Sequence, residues 1–306
     1  MDKNIIEEAV AELSTIQDLL RWATSQFNGA AIYLGHGTDN AWDEAVALVT
    51  HALHLPGDVG HEILTARLTR TERQAVVDLI LLRIERRLPL PYLTNKAWFA
   101  GLPFYVDERV LIPRSPVAEM IEHEFQPWLK HVPERILDLC TGSGCIAIAL
   151  AHAFPAAEVD AVDISADALA VAEINISEYG LNERVFPMES DCFDALSGTT
   201  YDLIVSNPPY VDAEDMADLP EEYQHEPELA LAAGHDGLDL VRRMLREAPD
   251  HLAENGLLVC EVGNSQVHMQ HAFPDVPFIW IEFQNGGDGI FVIDRNSLLT
   301  HRAVFG

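Results

Sequence analysis

The first part of the chain has a helical pattern of apolar positions. Apolar residues recur three and four positions apart between residues 5 and 23, which predicts a first helical run over 5–27. A second run covers 41–55, after the turn-forming sequence GHGTDN. A third covers 72–88, with Thr71 as the expected N-cap. We therefore predict a small helical bundle over residues 1–88, which could recognise a substrate.

The pattern changes between residues 89 and 116. This stretch holds five prolines among short aromatic and β-branched runs. Proline is excluded from helix interiors and from central strands. We interpret residues 89–116 as a connector that carries a short hairpin.

Residues 117–306 are predicted to form an α/β domain. A helix over 117–130 is followed by short apolar runs that alternate with helical segments, the last of them at 278–283 and 290–295. Strands that are apolar on both faces and separated by helices indicate a doubly wound, mostly parallel sheet, here of seven strands. The linker QNGGDG is too short for a crossover helix, so the last strand should be antiparallel, at or near the sheet edge.

Charge divides the chain unevenly. The formal net charge is −30, and residues 136–306 carry 30 acidic and only 6 basic side chains. Such a field repels phosphate backbones and anionic lipid, and it favours a basic partner. We expect no DNA and no membrane as partners.

Targeting and metal signals are missing from the sequence. The N-terminus lacks a secretory pattern and no apolar stretch is long enough to span a bilayer, so we expect a cytoplasmic protein. The four cysteines show no CxxC spacing and the histidines no HExxH motif. We predict reduced, mostly buried cysteines and no metal site.

Candidate chemistry lies where the predicted strands end, because ligands of open α/β sheets bind there. The first strand is followed by a glycine turn with Gly142 and Gly144 directly before a helix. A third glycine and a Walker lysine are both missing, which argues against pyrophosphate or ATP. By itself this turn could equally be structural.

Acidic residues follow the next two strands. Asp163 lies 21 positions after Gly142, where a carboxylate can accept both hydroxyls of a ribose. Its alternative role as helix N-cap can be taken by Ser165. Asp191 could meet an adenine amino group or could simply be a turn residue.

This succession resembles the class I S-adenosylmethionine-dependent methyltransferases, whose strand, DLxxGxG turn, helix, strand and acid match Leu137 to Cys145 and Asp163. The resemblance covers about residues 135–294 and implies S-adenosylmethionine as cofactor. The implied cofactor-binding residues are Asp138, Thr141, Gly142, Ser143, Gly144, Cys145, Asp163, Ile164, Asp191, Cys192, Asn207 and, less directly, Arg114.

The fourth strand ends in the sequence NPPY, residues 207–210. The two prolines fix the backbone and remove two N–H donors, which leaves the oxygens near Asn207 and Pro208 as a rigid set of acceptors. They can hold both N–H groups of an amide or amino nitrogen, while Tyr210 packs over its plane. We expect substrate binding by Asn207, Pro208, Pro209 and Tyr210, with Asn207, Pro208 and Tyr210 as catalytic residues. The alternative is a tight turn.

NPPY by itself resembles the motif of several groups of amino-methyltransferases, which act on adenine in DNA, guanine in RNA or glutamine in proteins. Residues 212–228 carry eight acidic and no basic side chains, which disfavours nucleic acid, although such a run is usually just a solvated face. Together with the helical bundle and connector, NPPY resembles the protein glutamine-amide methyltransferases. Residues 92–116, which include NKAWF, are more typical of the type that acts on the third large-subunit ribosomal protein than of the release-factor type, as is the continuation SPVAE at 115–119.

The resemblance implies a basic ribosomal protein of the large subunit as substrate. A release factor, a nucleic acid, or a non-catalytic role in ribosome assembly are the alternatives. Arg114 could bind cofactor or could equally pair with an acid. A basic cluster in the bundle could touch RNA on an assembly intermediate, or could pair with helix acids such as Glu72 and Glu85; its members are Arg67, Arg70, Arg73, Arg83, Arg86 and Arg87.

Overall fold

The computed structural model describes residues 3–57, 59–284 and 286–306. The chain divides into two units, the first formed by Met1–Lys96 with Pro220–His225 and the second by Ala97–Leu219 with Glu226–Gly306. Leu90 packs in the core of the first unit, whereas Phe99 and Phe104 pack in the second. The connector predicted for 89–116 is therefore shared between the two units.

The first unit is helical, as predicted, but two helix starts differ from the prediction. Its helices are α1 (Lys3–Glu12), α2 (Ile16–Ala30), α3 (Ala41–Ala52), α4 (Arg70–Glu85) and α5 (Leu90–Thr94). The first predicted run is two helices, because Thr15 and Asp18 form a capping box that starts α2. Thr69, not Thr71, caps α4, again in a capping box, with Glu72.

Three of the six arginines in the basic cluster are engaged inside the first unit. The Arg83 side chain is 1% exposed and pairs with Glu44 at 2.6 Å and with Glu222 at 3.2 Å. Arg73 donates to the Leu13 carbonyl at 3.1 Å and Arg87 to the Ala30 carbonyl at 2.8 Å. Arg73, Arg83 and Arg87 thus have a structural role, and their partners differ from the predicted helix acids, Glu72 and Glu85.

The second unit begins with an antiparallel hairpin, β1 (Ala97–Phe99) and β2 (Leu102–Phe104), which confirms the predicted hairpin. The helix that follows, α6 (Val117–Glu122), is shorter than the predicted 117–130. Glu124 and Phe125 have φ of 50° and 55°, a left-handed conformation that cannot continue a right-handed helix. Phe125 is fully buried in the core, and this packing outweighs the helical pattern.

A seven-stranded sheet in the order β5-β4-β3-β6-β7-β9-β8 forms the rest of the second unit. Strands β3 to β7 run parallel, and β9 is antiparallel to both neighbours next to the edge, as predicted. The strands are β3 (Arg135–Leu139), β4 (Glu158–Asp163), β5 (Val185–Glu189), β6 (Tyr201–Ser206), β7 (Leu252–Glu261), β8 (Ile279–Trp280) and β9 (Ile290–Asp294). The helices are α7 (Cys145–Ala153), α8 (Ala166–Glu178), α9 (Ala213–Asp218), α10 (Asp239–His251), α11 (Gln266–Ala272) and α12 (Arg295–His301).

Both faces of the sheet are buried, which explains the continuous apolar runs of its strands. Successive residues of a strand pack into two separate hydrophobic cores, one on each face of the sheet. Ile136 and Leu203 pack in the first core, and Leu137 and Ile204 pack in the second. Strand β3 lies between β4 and β6, so the residues that follow these three strands meet at one edge of the sheet. Within the described ranges, no helix is both long and apolar enough to cross a membrane.

Candidate active site

A cavity of about 290 Å³ opens where β3, β4 and β6 end. Seven of the residues predicted to bind cofactor or substrate line it. They are Gly142, Asp163, Ile164, Asp191, Cys192, Asn207 and Pro209. The parallel sheet thus brings together residues that lie far apart in the chain.

The glycine turn is held in place by residues beneath it. Gly142 and Gly144 both have positive φ, 56° and 78°, which favours glycine at these positions. The Asp138 carboxylate accepts the Thr141 hydroxyl at 2.5 Å and the Ala147 N–H at 2.9 Å. Complete burial raises the pKa of Asp138 to about 7. The structure therefore places Asp138 and Thr141 as supports of the turn.

Two further members of the predicted turn also pack inward. Ser143 is buried, and its carbonyl accepts the Asn175 side-chain N–H at 2.8 Å. Cys145 is the first residue of α7 and is buried. Cys140, Cys145, Cys192 and Cys260 are all free thiols, in agreement with the prediction of reduced, mostly buried cysteines.

Asp163 is oriented by two backbone donors. Its Oδ2 accepts the Gly142 N–H at 2.9 Å and its Oδ1 the Ser165 N–H at 2.9 Å. Burial raises the pKa of Asp163, and these backbone hydrogen bonds oppose the increase. Ser165 caps α8, as expected. Each carboxylate oxygen keeps a second lone pair, so Asp163 can still accept two hydroxyls from the cavity.

Replacing Asp163 with alanine is expected to weaken cofactor binding. Each lost hydrogen bond to a charged group contributes about 1.5–3 kcal/mol, so we expect Kd for S-adenosylmethionine to rise by roughly 10- to 100-fold. Titration calorimetry measures this directly. Asp167→Ala is the matched control, because Asp167 is exposed in the first turn of α8. An unchanged Kd for Asp163→Ala would contradict the assigned role.

Two other predicted charges have partners in the second unit. Asp191 lines the cavity, but its Oδ1 pairs with Arg243 at 2.6 Å. Its contact with an adenine amino group stays a prediction. Arg114 pairs with the buried Glu226 at 2.9 Å and lines a different cleft. The structure thus shows Arg114 in an ion pair, which was the alternative to cofactor binding, and Arg114 does not line the cavity.

Two further segments line the cavity and were not predicted from the sequence. One segment belongs to the connector and the other follows NPPY. Their lining residues are Arg109, Val110 and Leu111, and Pro227, Leu229, Ala230 and Ala232. Arg109 forms a two-point ion pair with Asp107, at 2.9 and 2.6 Å. The sequence does not indicate that either segment lies at the cavity, because this placement depends on packing between distant parts of the chain.

The NPPY residues take different positions at the end of β6. In the part of the chain that the structure describes, the Asn207 Oδ1 atom is buried and accepts no hydrogen bond. Asn207 and Pro209 line the cavity, while Pro208 is buried. The Tyr210 hydroxyl donates to Glu261 Oε1 at 3.0 Å. A buried acceptor without a donor is costly unless a ligand satisfies it, so Asn207 is the clearest mark of a substrate site.

The cavity residues fit S-adenosylmethionine. The glycine turn lets a ligand approach the backbone, Asp163 offers acceptors for a ribose, and Ile164, Leu229 and their neighbours offer an apolar wall. The sheet order, the antiparallel strand β9 and this site define a class I S-adenosylmethionine-dependent methyltransferase.

Two relatives match this chain over nearly its full length. The ribosomal protein uL3 glutamine methyltransferase of Bordetella pertussis (strain Tohama I) is 51% identical over 94% of this chain and 98% of its own. That of Francisella tularensis (strain SCHU S4) is 46% identical over 98% of this chain and 96% of its own. The chain therefore belongs to the family of ribosomal protein uL3 glutamine methyltransferases.

Two further comparisons concern parts of the chain. Residues 125–223 match the family described as the methyltransferase small domain. A methyltransferase from Pyrococcus furiosus of known crystal structure is 19% identical and aligns with a TM-score of 0.47, over 64% of this chain and 89% of that one.

Proposed function

We propose that the protein transfers a methyl group from S-adenosylmethionine to the side-chain amide nitrogen of a glutamine in ribosomal protein uL3. The observation that carries this proposal is the buried, unsatisfied Oδ1 of Asn207 at the cavity. It is the acceptor that a primary amide would satisfy. The 51% identity to a uL3 glutamine methyltransferase supports uL3 as the substrate.

The residues of NPPY would align the amide for reaction. When bound, S-adenosylmethionine supplies an electrophilic methyl group on a positively charged sulfur. Asn207 Oδ1 and the Pro208 carbonyl would accept the two amide N–H groups, which points the nitrogen lone pair along one direction. Alignment of this kind can supply most of the rate enhancement of a bimolecular step.

The same oxygens would also stabilise the transition state. An amide nitrogen that forms a new bond to carbon gains positive charge, and fixed oxygen dipoles favour this charge more than they favour the ground state. The nitrogen would release one proton to solvent once the bond between the methyl carbon and sulfur has broken, with the electron pair of that bond left on the sulfur. Tyr210 would cover the amide plane and limit the access of water.

The acidic segment after NPPY has two roles. Glu222 and Glu226 are buried in ion pairs with arginines and so are not part of a solvated face. Glu214, Asp215 and Asp218 are exposed on or near α9. These exposed carboxylates fit a basic ribosomal protein, whose association they would accelerate in a salt-sensitive way. We place the reaction in the cytoplasm, and contact with a ribosome assembly intermediate stays a prediction.

The proposal is tested by incubating the purified protein with S-adenosylmethionine and isolated uL3, and then mapping the product by mass spectrometry. We expect one methyl group on one glutamine side chain. A methyl group on lysine or on the chain terminus would contradict the proposed chemistry.

A further inference from the structure

Among the residues that the structure describes, Glu261, Gly263 and Ser265 contact Tyr210 from outside its own motif. Its hydroxyl donates to Glu261, and its backbone carbonyl accepts the Ser265 hydroxyl at 2.8 Å. Gly263 lies so close to the ring that an added Cβ would be 2.5 Å from Tyr210 Cε2. The position of Tyr210 is therefore set by the last residue of β7 and by the segment that follows this strand.

Glu261 is the last residue of β7 and is 5% exposed. Its Oε1 accepts the Tyr210 hydroxyl at 3.0 Å, and its Oε2 accepts the Ser115 hydroxyl. Ser115 is also buried and accepts the Val117 N–H at 3.2 Å. Both carboxylate oxygens thus hold a hydroxyl group, and the carboxylate joins NPPY to the segment that precedes α6.

The arrangement uses both oxygens of the Glu261 carboxylate as hydrogen-bond acceptors. Burial raises the pKa of Glu261, while the two hydroxyl donors stabilise its charged form. A buried carboxylate costs folding free energy unless its hydrogen bonds compensate for it. Glu261 accepts the hydroxyl group of the NPPY tyrosine, which an apolar residue at this position could not do.

We propose that Glu261 is the positioning residue of the methyl-transfer site, holding Tyr210 over the substrate amide, with Ser115 fixing its second oxygen. The proposal deepens the proposed function and rests on it for the identity of the substrate. Ser115 lies in the segment that distinguishes the ribosomal-protein type from the release-factor type. Through Glu261 it is linked to Tyr210, the tyrosine proposed to bind the substrate.

The kinetic test is a double-mutant cycle with Glu261→Gln and Tyr210→Phe. Each variant disturbs the same hydrogen bond, between the Tyr210 hydroxyl and Glu261 Oε1, which is stronger when one of its two groups is charged. We expect kcat/KM to fall roughly tenfold in each single variant, with kcat affected and the cofactor Kd unchanged. The double variant should be no worse than the poorer single one, because the two substitutions remove one interaction.

Two results would overturn the proposal. One is a double variant that is about 100-fold less active, the product of two independent losses. The other is full activity in Tyr210→Phe, a variant that removes only the hydroxyl and decides the question even where Glu261→Gln does not fold. Glu254→Gln is the matched control, since Glu254 lies on the same strand and is exposed, and it should retain wild-type activity.

A second measurement separates this proposal from the proposed function. Protein with 13C-labelled tyrosine rings has seven tyrosines, and the Tyr210 signal is identified by its loss in Tyr210→Phe. We expect this signal to shift in Glu261→Gln and to stay in place in Glu254→Gln. An unshifted Tyr210 signal would overturn the positioning role. If wild-type protein methylates no glutamine, the proposed function fails, yet the shift still reports on Glu261.

Discussion

Replacing Asn207 with alanine is expected to lower kcat/KM for glutamine methylation by roughly 10²- to 10³-fold, the effect of removing one fixed polar group from an active site. Asn207 Oδ1 is buried and, within the described residues, has no partner in the protein, so its hydrogen-bonding capacity is available to the substrate. Without it the amide loses alignment and charge stabilisation together. The cofactor keeps the glycine turn and Asp163, so its affinity should stay close to that of wild type.

Transfer rates and calorimetric cofactor binding check this expectation together. Asn182→Ala is the matched control, because Asn182 is exposed and its Oδ1 accepts the Ser177 hydroxyl across a surface turn. It should leave both quantities unchanged. Activity near the wild-type level in Asn207→Ala would contradict the role proposed for Asn207. A large loss of cofactor affinity would show that Asn207 binds the cofactor rather than the substrate.

Replacing Arg83 with leucine should destabilise the helical unit by about 3–5 kcal/mol, the usual result of removing one partner from a buried ion pair. Glu44 and Glu222 are each 2% exposed, and both pair with the Arg83 guanidinium. Their charges would then lie in a region of low dielectric with a cationic partner removed. The Tyr33 carbonyl would also lose a donor that now lies at 2.6 Å.

Urea unfolding measures the change when it is followed by tryptophan fluorescence, to which Trp22, buried in this unit, contributes with the other four tryptophans. Arg70→Leu is the control on the same helix, since Arg70 is exposed at the start of α4. Its effect should stay within about 0.5 kcal/mol, as at other surface positions. An equally small effect of Arg83→Leu would show that the buried cluster contributes little to stability.

Much of the second unit could be predicted because its signals are local. Apolar runs on both faces of the strands indicate a parallel sheet, and the polar residue that follows each strand must then lie at one edge. This geometry places Gly142, Asp163 and Asn207 around one cavity, as the structure shows. The short linker before β9 likewise predicts the antiparallel strand.

Other features depend on contacts between distant parts of the chain. Arg83 and Glu222 are 139 residues apart, and each alone is an ordinary charged residue in a helical or acidic segment. The same holds for Ser115 and Glu261, 146 residues apart. The capping boxes at Thr15 and Thr69 are different, because a threonine followed three residues later by an acidic residue is a local sequence signal for a helix start.

The most direct test of substrate and chemistry together is methyl transfer from labelled S-adenosylmethionine to three acceptors tested side by side. These are ribosomal protein uL3, a class I release factor and protein-free ribosomal RNA, each analysed by mass spectrometry. Label on a glutamine of uL3 alone is the result that the site and the family predict. Label on a glutamine of the release factor would agree with the proposed mechanism but contradict uL3 as the substrate. Label on RNA would contradict both proposals. Cofactor binding without any transfer would indicate a non-catalytic role.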